Sequence, residues 1–176
     1  MKTRPYAVVA GIGLGLAMFA AGCASPSYRP GKVDLSGYSR VVVPKFEAGP
    51  AVQMPAEKNT VICNAAIDQI QKSGKFQDVD SKSTSKKGEL IVQGKMMTYE
   101  PGNRFARLLP FMRQASFKAE ICLKDGQTGQ VLDKQTVSSH FELHGPIGVI
   151  VSEDMLIAKI GDVVGRGVSN AKLVNP

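Results

Sequence analysis

From Phe117 to Lys124 the chain alternates without a break: Phe117, Ala119, Ile121 and Leu123 share one parity, Lys118, Glu120, Cys122 and Lys124 the other. A period of two marks a strand with one buried and one wet face. The turn formers Asp125-Gly126-Gln127-Thr128-Gly129 follow, then Val131, Val137, Phe141 and Leu143. This order predicts a hairpin whose second strand covers 130–143. Upstream, Leu90, Val92 and Met96 stand against Gln93 and Lys95, predicting a strand over 90–99. The β-branched run 40–43, halted by Pro44, predicts a first strand ending near Phe46, and 75–80 holds a short edge strand. The polar stretch 81–89 (SKSTSKKGE) reads as a solvated loop.

Two segments carry a helical period instead. Pro55 suits a first turn, Ile62, Ala66 and Ile70 form one face with Cys63 and Ile67 beside it, and Lys58, Asp68 and Lys72 lie away from it, with Gly74 as the stop. Near the C-terminus Ser152 is a cap, with Glu153 and Asp154 in the first turn, where the helix dipole favours negative charge. Leu156, Ile160, Val163, Val164, Gly167 and Ala171 make the buried stripe, while Gly161 and Gly165 keep one flank small for close packing on the sheet. The order β-α-β-β-β-β-α predicts an α+β fold: an antiparallel or mixed sheet of about four to five strands with two helices packed on one face.

The N-terminus has a different character. Lys2 and Arg4 precede an apolar run from Tyr6 to about Ala21, then small residues and Cys23, the layout of an export leader. Its roughly 16 apolar residues fall short of the ~20 that cross a hydrocarbon core. Ala20-Ala21-Gly22 ahead of Cys23 resembles the lipobox of bacterial lipoproteins, with Ala20 where leucine is usual. The resemblance implies cleavage before Cys23, a diacylglyceryl group on its thiol and an acyl chain on the freed amine. More than one chain gives stable anchoring. Ala24, where an aspartate would retain a Gram-negative lipoprotein at the inner membrane, implies the outer membrane with the domain facing the periplasm.

Three regions follow: a signal peptide over 1–22, a lipidated N-terminus and flexible tether over 23–37, and one globular domain over 38–176. The tether, rich in proline, serine and glycine, spans at most about 45 Å. Loss of Lys2 and Arg4 with the leader lowers the formal charge from +7 to +5 over 154 residues, too diffuse a surplus to imply nucleic acid. An oxidising compartment permits a disulfide, but Cys63 and Cys122 fall on a helix and a strand and are expected as separate thiols.

The strand 89–94 leads into Tyr99-Glu100-Pro101-Gly102-Asn103-Arg104. The alternating strand 115–123 leads into Asp125, Thr128-Gly129 and Val131-Leu132, and a helix closes the chain. In these passages the sequence resembles, over 38–173, a group of bacterial lipoproteins, domain of unknown function family 4410. The strand-turn-strand passage is also similar to that of envelope lipoproteins related to the curli secretion channel and to activators of peptidoglycan synthases. A shared fold does not by itself assign a function.

The sequence offers little for catalysis. His140 and His144 are the two histidines, no serine or cysteine sits in a nucleophile elbow, and no glycine-rich loop is framed to cradle phosphate. His140, Glu142 and His144 alternate as metal ligands on one strand face would, but an exposed strand produces the same pattern, and no metal or cofactor is expected. The stronger signal is a surface. Two apolar connections converge at the hairpin's open end: Phe105, Leu108, Leu109, Phe111 and Met112 interleaved with Arg104, Arg107 and Arg113, and a second stretch containing Ile147. The mixture suits a protein interface or anionic lipid.

The expected protein is a non-enzymatic envelope lipoprotein that binds or scaffolds another envelope component. The alternative is an oligomeric secretion or pore-assembly subunit like the curli channel, and a hydrolase comes third. Its expected partners are the membrane, through lipid on Cys23, an envelope protein and further copies of itself. Cys23→Ala is expected to abolish acylation, because only cysteine offers the thiol; equal incorporation of labelled palmitate by both proteins rules the anchor out.

Overall fold

The computed structural model describes residues 28, 30–31, 33–50, 52–100, 115–141 and 152–171. In chain order the elements are β1 (Arg40–Val42), β2 (Glu47–Ala48), α1 (Ala56–Ser73), β3 (Asp78–Asp80), β4 (Glu89–Glu100), β5 (Ala115–Asp125), β6 (Val131–Phe141) and α2 (Glu153–Ala171). The sheet runs β3-β1-β4-β5-β6, with β2 also paired to β4. β1 is parallel to both β3 and β4, whereas β4, β5 and β6 form an antiparallel meander. The expected α+β architecture with a mixed sheet is present. The sixth strand, β2, has two residues, too few to show a period, and pairs with Lys95 and Met96 beyond the break at Pro44.

Alternation fixed the buried face. Leu90, Val92, Met96, Phe117, Ala119, Ile121, Leu123 and Val137 are buried and form one cluster with Ile62, Ala66 and Ile70 of α1 and Ile160, Val164 and Val168 of α2. Phe46 lies on this face against Gly94, where a Cβ would come within 2.3 Å of the ring. Val131, expected in the core, is 51% exposed, and Leu132 packs on the core in its place. The cause is a register shift between Leu123 and Lys124, whose extra residue on β6 inverts the parity.

The helices run parallel. Lys58 of α1 meets Asp154 of α2 near their starts, and Lys75, just past α1, donates to the Ser169 carbonyl near the end of α2. Between these points Gly161 and Gly165 let the backbones touch: an added Cβ would stand 2.2 Å from the Ile62 carbonyl oxygen and 2.8 Å from that of Ala66. The small flank expected to meet the sheet therefore meets α1. The core also reaches further back than Tyr38. Tyr28 and Leu35 are buried, and the Tyr28 ring occupies the space above Gly167.

The stretch 81–88 is more than a solvated loop. It carries the chain from β3 to β4 across β1, on the sheet face opposite the helices, and is organised around one carboxylate. Glu89 is 1% exposed, and its side chain accepts hydrogen bonds from the Ser83 hydroxyl, from the Thr84 hydroxyl at 2.9 Å and backbone N–H at 3.0 Å, and from the Ser85 N–H at 3.3 Å. Arg40 Nε forms an ion pair with it at 3.3 Å, outside hydrogen-bond alignment, while the guanidinium's other nitrogens bind Asp78, Asp80 and the Lys82 carbonyl. Burial pushes the Glu89 carboxyl pKa up, but the donors of Ser83, Thr84 and Ser85 outweigh it, and the pKa falls below the ordinary glutamate value.

A group depressed on folding contributes stability above its unfolded pKa and loses that contribution as pH falls through its folded one. The wild type is therefore expected to lose stability below about pH 4.3 in a Glu89-dependent way. Glu89→Gln, which turns an amide donor toward donors, is expected to cost about 3 kcal/mol at neutral pH and to flatten the acid limb. Denaturant unfolding from pH 3 to 7 measures both; an unchanged acid limb in the variant contradicts this account.

Candidate functional site

Both long connections leave from one end of the sheet. Glu100 pairs with Ser116 and Ser116 with His140, so 101–114 and 142–151 attach at neighbouring strand ends, as the hairpin required. This is the loop end; the 126–130 connection marks the opposite turn end. The docking residues assigned within 101–114, and Ile147, lie outside the described residues, as do Cys23, Glu142 and His144. His140 is described by its backbone alone. Among the described residues no group of three possible metal ligands comes together.

The described residues at the loop end form a charged latch. The Tyr99 hydroxyl donates to Glu153, and Lys58 Nζ lies 2.7 Å from Asp154 and 3.7 Å from Glu153. Ser152 Oγ accepts the Met155 N–H at 3.2 Å, the expected cap. Both helices begin here, so two positive dipole ends are adjacent. A lysine in the first turn of α1 adds a third positive group, and the carboxylates of α2 offset all three. Glu153 and Asp154 are adjacent on the helix and so leave it in different directions, yet both reach the one ammonium.

Asp154 accepts a hydrogen bond from Lys58 and raises its pKa, so the ammonium stays charged. Burial first, and the Glu153 carboxylate second, raise the Tyr99 phenol, which remains a protonated donor. A general acid or base works best with a pKa near the working pH, and both shifts lead away from it. The cluster's chemistry is attachment: it ties α1, α2 and the end of β4 at the base of both connections.

Sequence reasoning missed this partnership because of a bulge. The register shift between Met96 and Thr98 changes the parity of β4, pairs Tyr99 with Phe117 and turns it to the helix side, while Met97 stands 42% exposed. The Arg40–Glu89 clamp was missed for a related reason: parallel pairing brings those residues together across a connection of 48 positions, and the sequence signal was only the density of hydroxyls in 81–85.

On the sheet face away from the helices, Lys134 Nζ meets Glu120 at 3.1 Å and Gln93 donates to Glu47 at 2.6 Å. Cys122 lies on this face and is partly exposed, whereas Cys63 is buried on α1 against the Pro44 carbonyl; both are free thiols, as expected. Burial raises the Cys63 pKa and keeps it unreactive.

Fold and clusters define a two-layer α+β domain whose described polar clusters tie its strands and helices together. The sequence matches the family model described as Domain of unknown function (DUF4410) over residues 41–145, and the chain belongs to that family. No curated protein matches it. Its fold is shared with the PelC dodecamer from Paraburkholderia phytofirmans, at 11% identity and a TM-score of 0.52, covering 82% of this chain and 94% of that one. A single-substitution variant of that PelC aligns at 13% identity and a TM-score of 0.47, over 78% and 92% of the two chains. A Xanthomonas campestris protein of family DUF330 aligns at 10% identity and 0.48, over 80% and 91%.

Tyr99→Phe removes one hydrogen bond to a partly exposed carboxylate and is expected to cost about 1 kcal/mol. The loss is expected to appear as faster amide exchange in the first turn of α2, with the last turn unchanged. Exchange that rises equally at both ends of α2 contradicts a local latch.

Proposed function

We propose that the protein is a lipid-anchored, non-enzymatic envelope subunit that works by binding, with a homo-oligomer as its working form. The observation that carries this reading is the edge of the sheet. β6 has 11 residues, and among the described residues no strand pairs with its outer side. The other edge, β3, has three residues and is flanked by Asp78 and Asp80, both held by Arg40. Proteins shorten or charge an edge they keep single, so the contrast favours β6 as the pairing edge. The shared fold with a protein that forms a dodecamer supports assembly as the use of that edge. The apolar, arginine-rich composition of 101–114 supports a second contact, with another envelope component, at the loop end. The lipobox resemblance and Ala24 support the outer membrane, with the domain in the periplasm.

Light scattering of the detergent-solubilised protein is expected to give one discrete multimer. Adjacent residues of an antiparallel strand send their N–H groups to opposite sides. Of proline substitutions at Gln135 and Thr136, one therefore breaks the β5–β6 ladder and the other strikes only the free edge. The edge variant is expected to keep its melting temperature and lose the multimer. A wild type that is monomeric at every concentration, or a folded edge variant that still assembles, overturns the edge reading.

A further inference from the structure

Residues 28–38 cross the turn end of the domain as a strap, and its described part lies outside every helix and strand. Side chains fasten it. Tyr28 and Leu35 are buried, and Gly31 lies against the Asp133 carboxylate of β6. The Tyr28 ring fills a socket above Gly167, where a Cβ would enter the ring and stand 2.5 Å from the Tyr28 carbonyl oxygen. The N–H groups of Val33, Ser36 and Tyr38 bond within the strap, to the Gly31 carbonyl, the Asp34 side chain and the Leu35 carbonyl. The Tyr38 hydroxyl donates to Asp125 at 3.0 Å, and the Ser39 and Arg40 N–H groups then bond the Gly88 carbonyl where β1 begins.

The docked strap shuts two oxygens away from water. The Tyr28 hydroxyl and Asp133 Oδ2 are both buried, and neither has a hydrogen-bond partner among the described residues. Burial first, and the Asp133 carboxylate second, push the Tyr28 phenol pKa up, so the unpaired charge lies near the unpaired hydroxyl. A buried polar atom without a bond has given up its hydration, and opening the contact returns it. Burial of the Tyr28 ring therefore works against two oxygens that gain by release. The remaining core packs α1 and α2 directly on the sheet.

We propose that the strap is a reversible clasp: Tyr28 leaves the Gly167 socket and the strap pivots at Tyr38, while the domain from Ser39 onward stays folded. Docked, the upstream chain leaves the domain beside α2. Released, it leaves from Tyr38, ten residues later, and gains at most about 36 Å of reach. The clasp thus sets how far the domain stands from whatever holds its N-terminus.

The test is amide exchange read by mass spectrometry on the full chain, comparing 33–38 with β4 and β5 in the wild type, Tyr28→Phe and Gly167→Ala. Tyr28→Phe keeps the ring and removes the unpaired hydroxyl, and is expected to slow exchange in 33–38 by about fivefold. Gly167→Ala fills the socket while favouring the helix, and is expected to speed exchange in 33–38 by about tenfold, with β4 and β5 at wild-type rates. Unchanged or faster exchange in Tyr28→Phe means that the hydroxyl has a partner and overturns the clasp. In Gly167→Ala, unchanged exchange in 33–38 overturns it too. Exchange that rises equally in β4 and β5, or a loss of cooperative melting, makes the strap an inseparable part of the core and overturns it as well.

Discussion

A carboxylate with no access to water must find its hydrogen bonds within the protein, and the arrangement of strands follows from where Glu89 finds them. It opens β4, the strand that joins the parallel part of the sheet to the antiparallel meander. Its donors come from the crossover that leads into β4, and its cation comes from the first residue of β1. One buried charge thus fixes three things: the register of β1 on β4, the path of 81–88 over β1, and the position of the β5–β6 turn, whose Gly126 lies where a Cβ would approach Glu89 at 2.8 Å. Such a charge is stable only when its set of partners is complete, which makes the clamp cooperative.

The other face depends on close backbone approach. Two parallel helices share one sheet face only if each leaves room for the other, and Gly161 and Gly165 supply that room against α1. Gly167 does the same for Tyr28, so Tyr28, with Leu35, joins the core from upstream of β1. A segment that composition marks as tether is fastened, and the reach of the chain beyond the domain shortens accordingly. That fastening gives the domain two unlike ends.

At the loop end the latch of Lys58, Tyr99, Glu153 and Asp154 joins three elements by charge rather than by apolar contact. Polar attachment suits a place from which two long connections depart, because it holds their anchor points without burying them. Lys58 and Tyr99 here, and Glu89 at the clamp, are driven toward fixed protonation states, the opposite of what proton transfer at neutral pH needs. The chemistry of these described clusters is attachment within the domain, and among the described residues no strand pairs with the outer side of β6.

The sequence by itself determined the elements and their buried faces. Period-two and helical patterns located β4, β5, α1 and α2, because each buries one side; Ser152 and Gly74 marked helix ends as capping chemistry requires, and Pro55 stands immediately before α1. Tertiary structure decided what lies against those faces. Two bulges inverted parity at Tyr99 and Val131, and a bulge is a property of the pairing of two strands, invisible in either one. Whether Gly161 met sheet or helix depended on helix direction, and whether 81–88 was free or caged depended on a carboxylate buried by strands distant in sequence. Local pattern records which side of an element avoids water, whereas partner and register are set by long-range pairing and by the need to satisfy every buried charge.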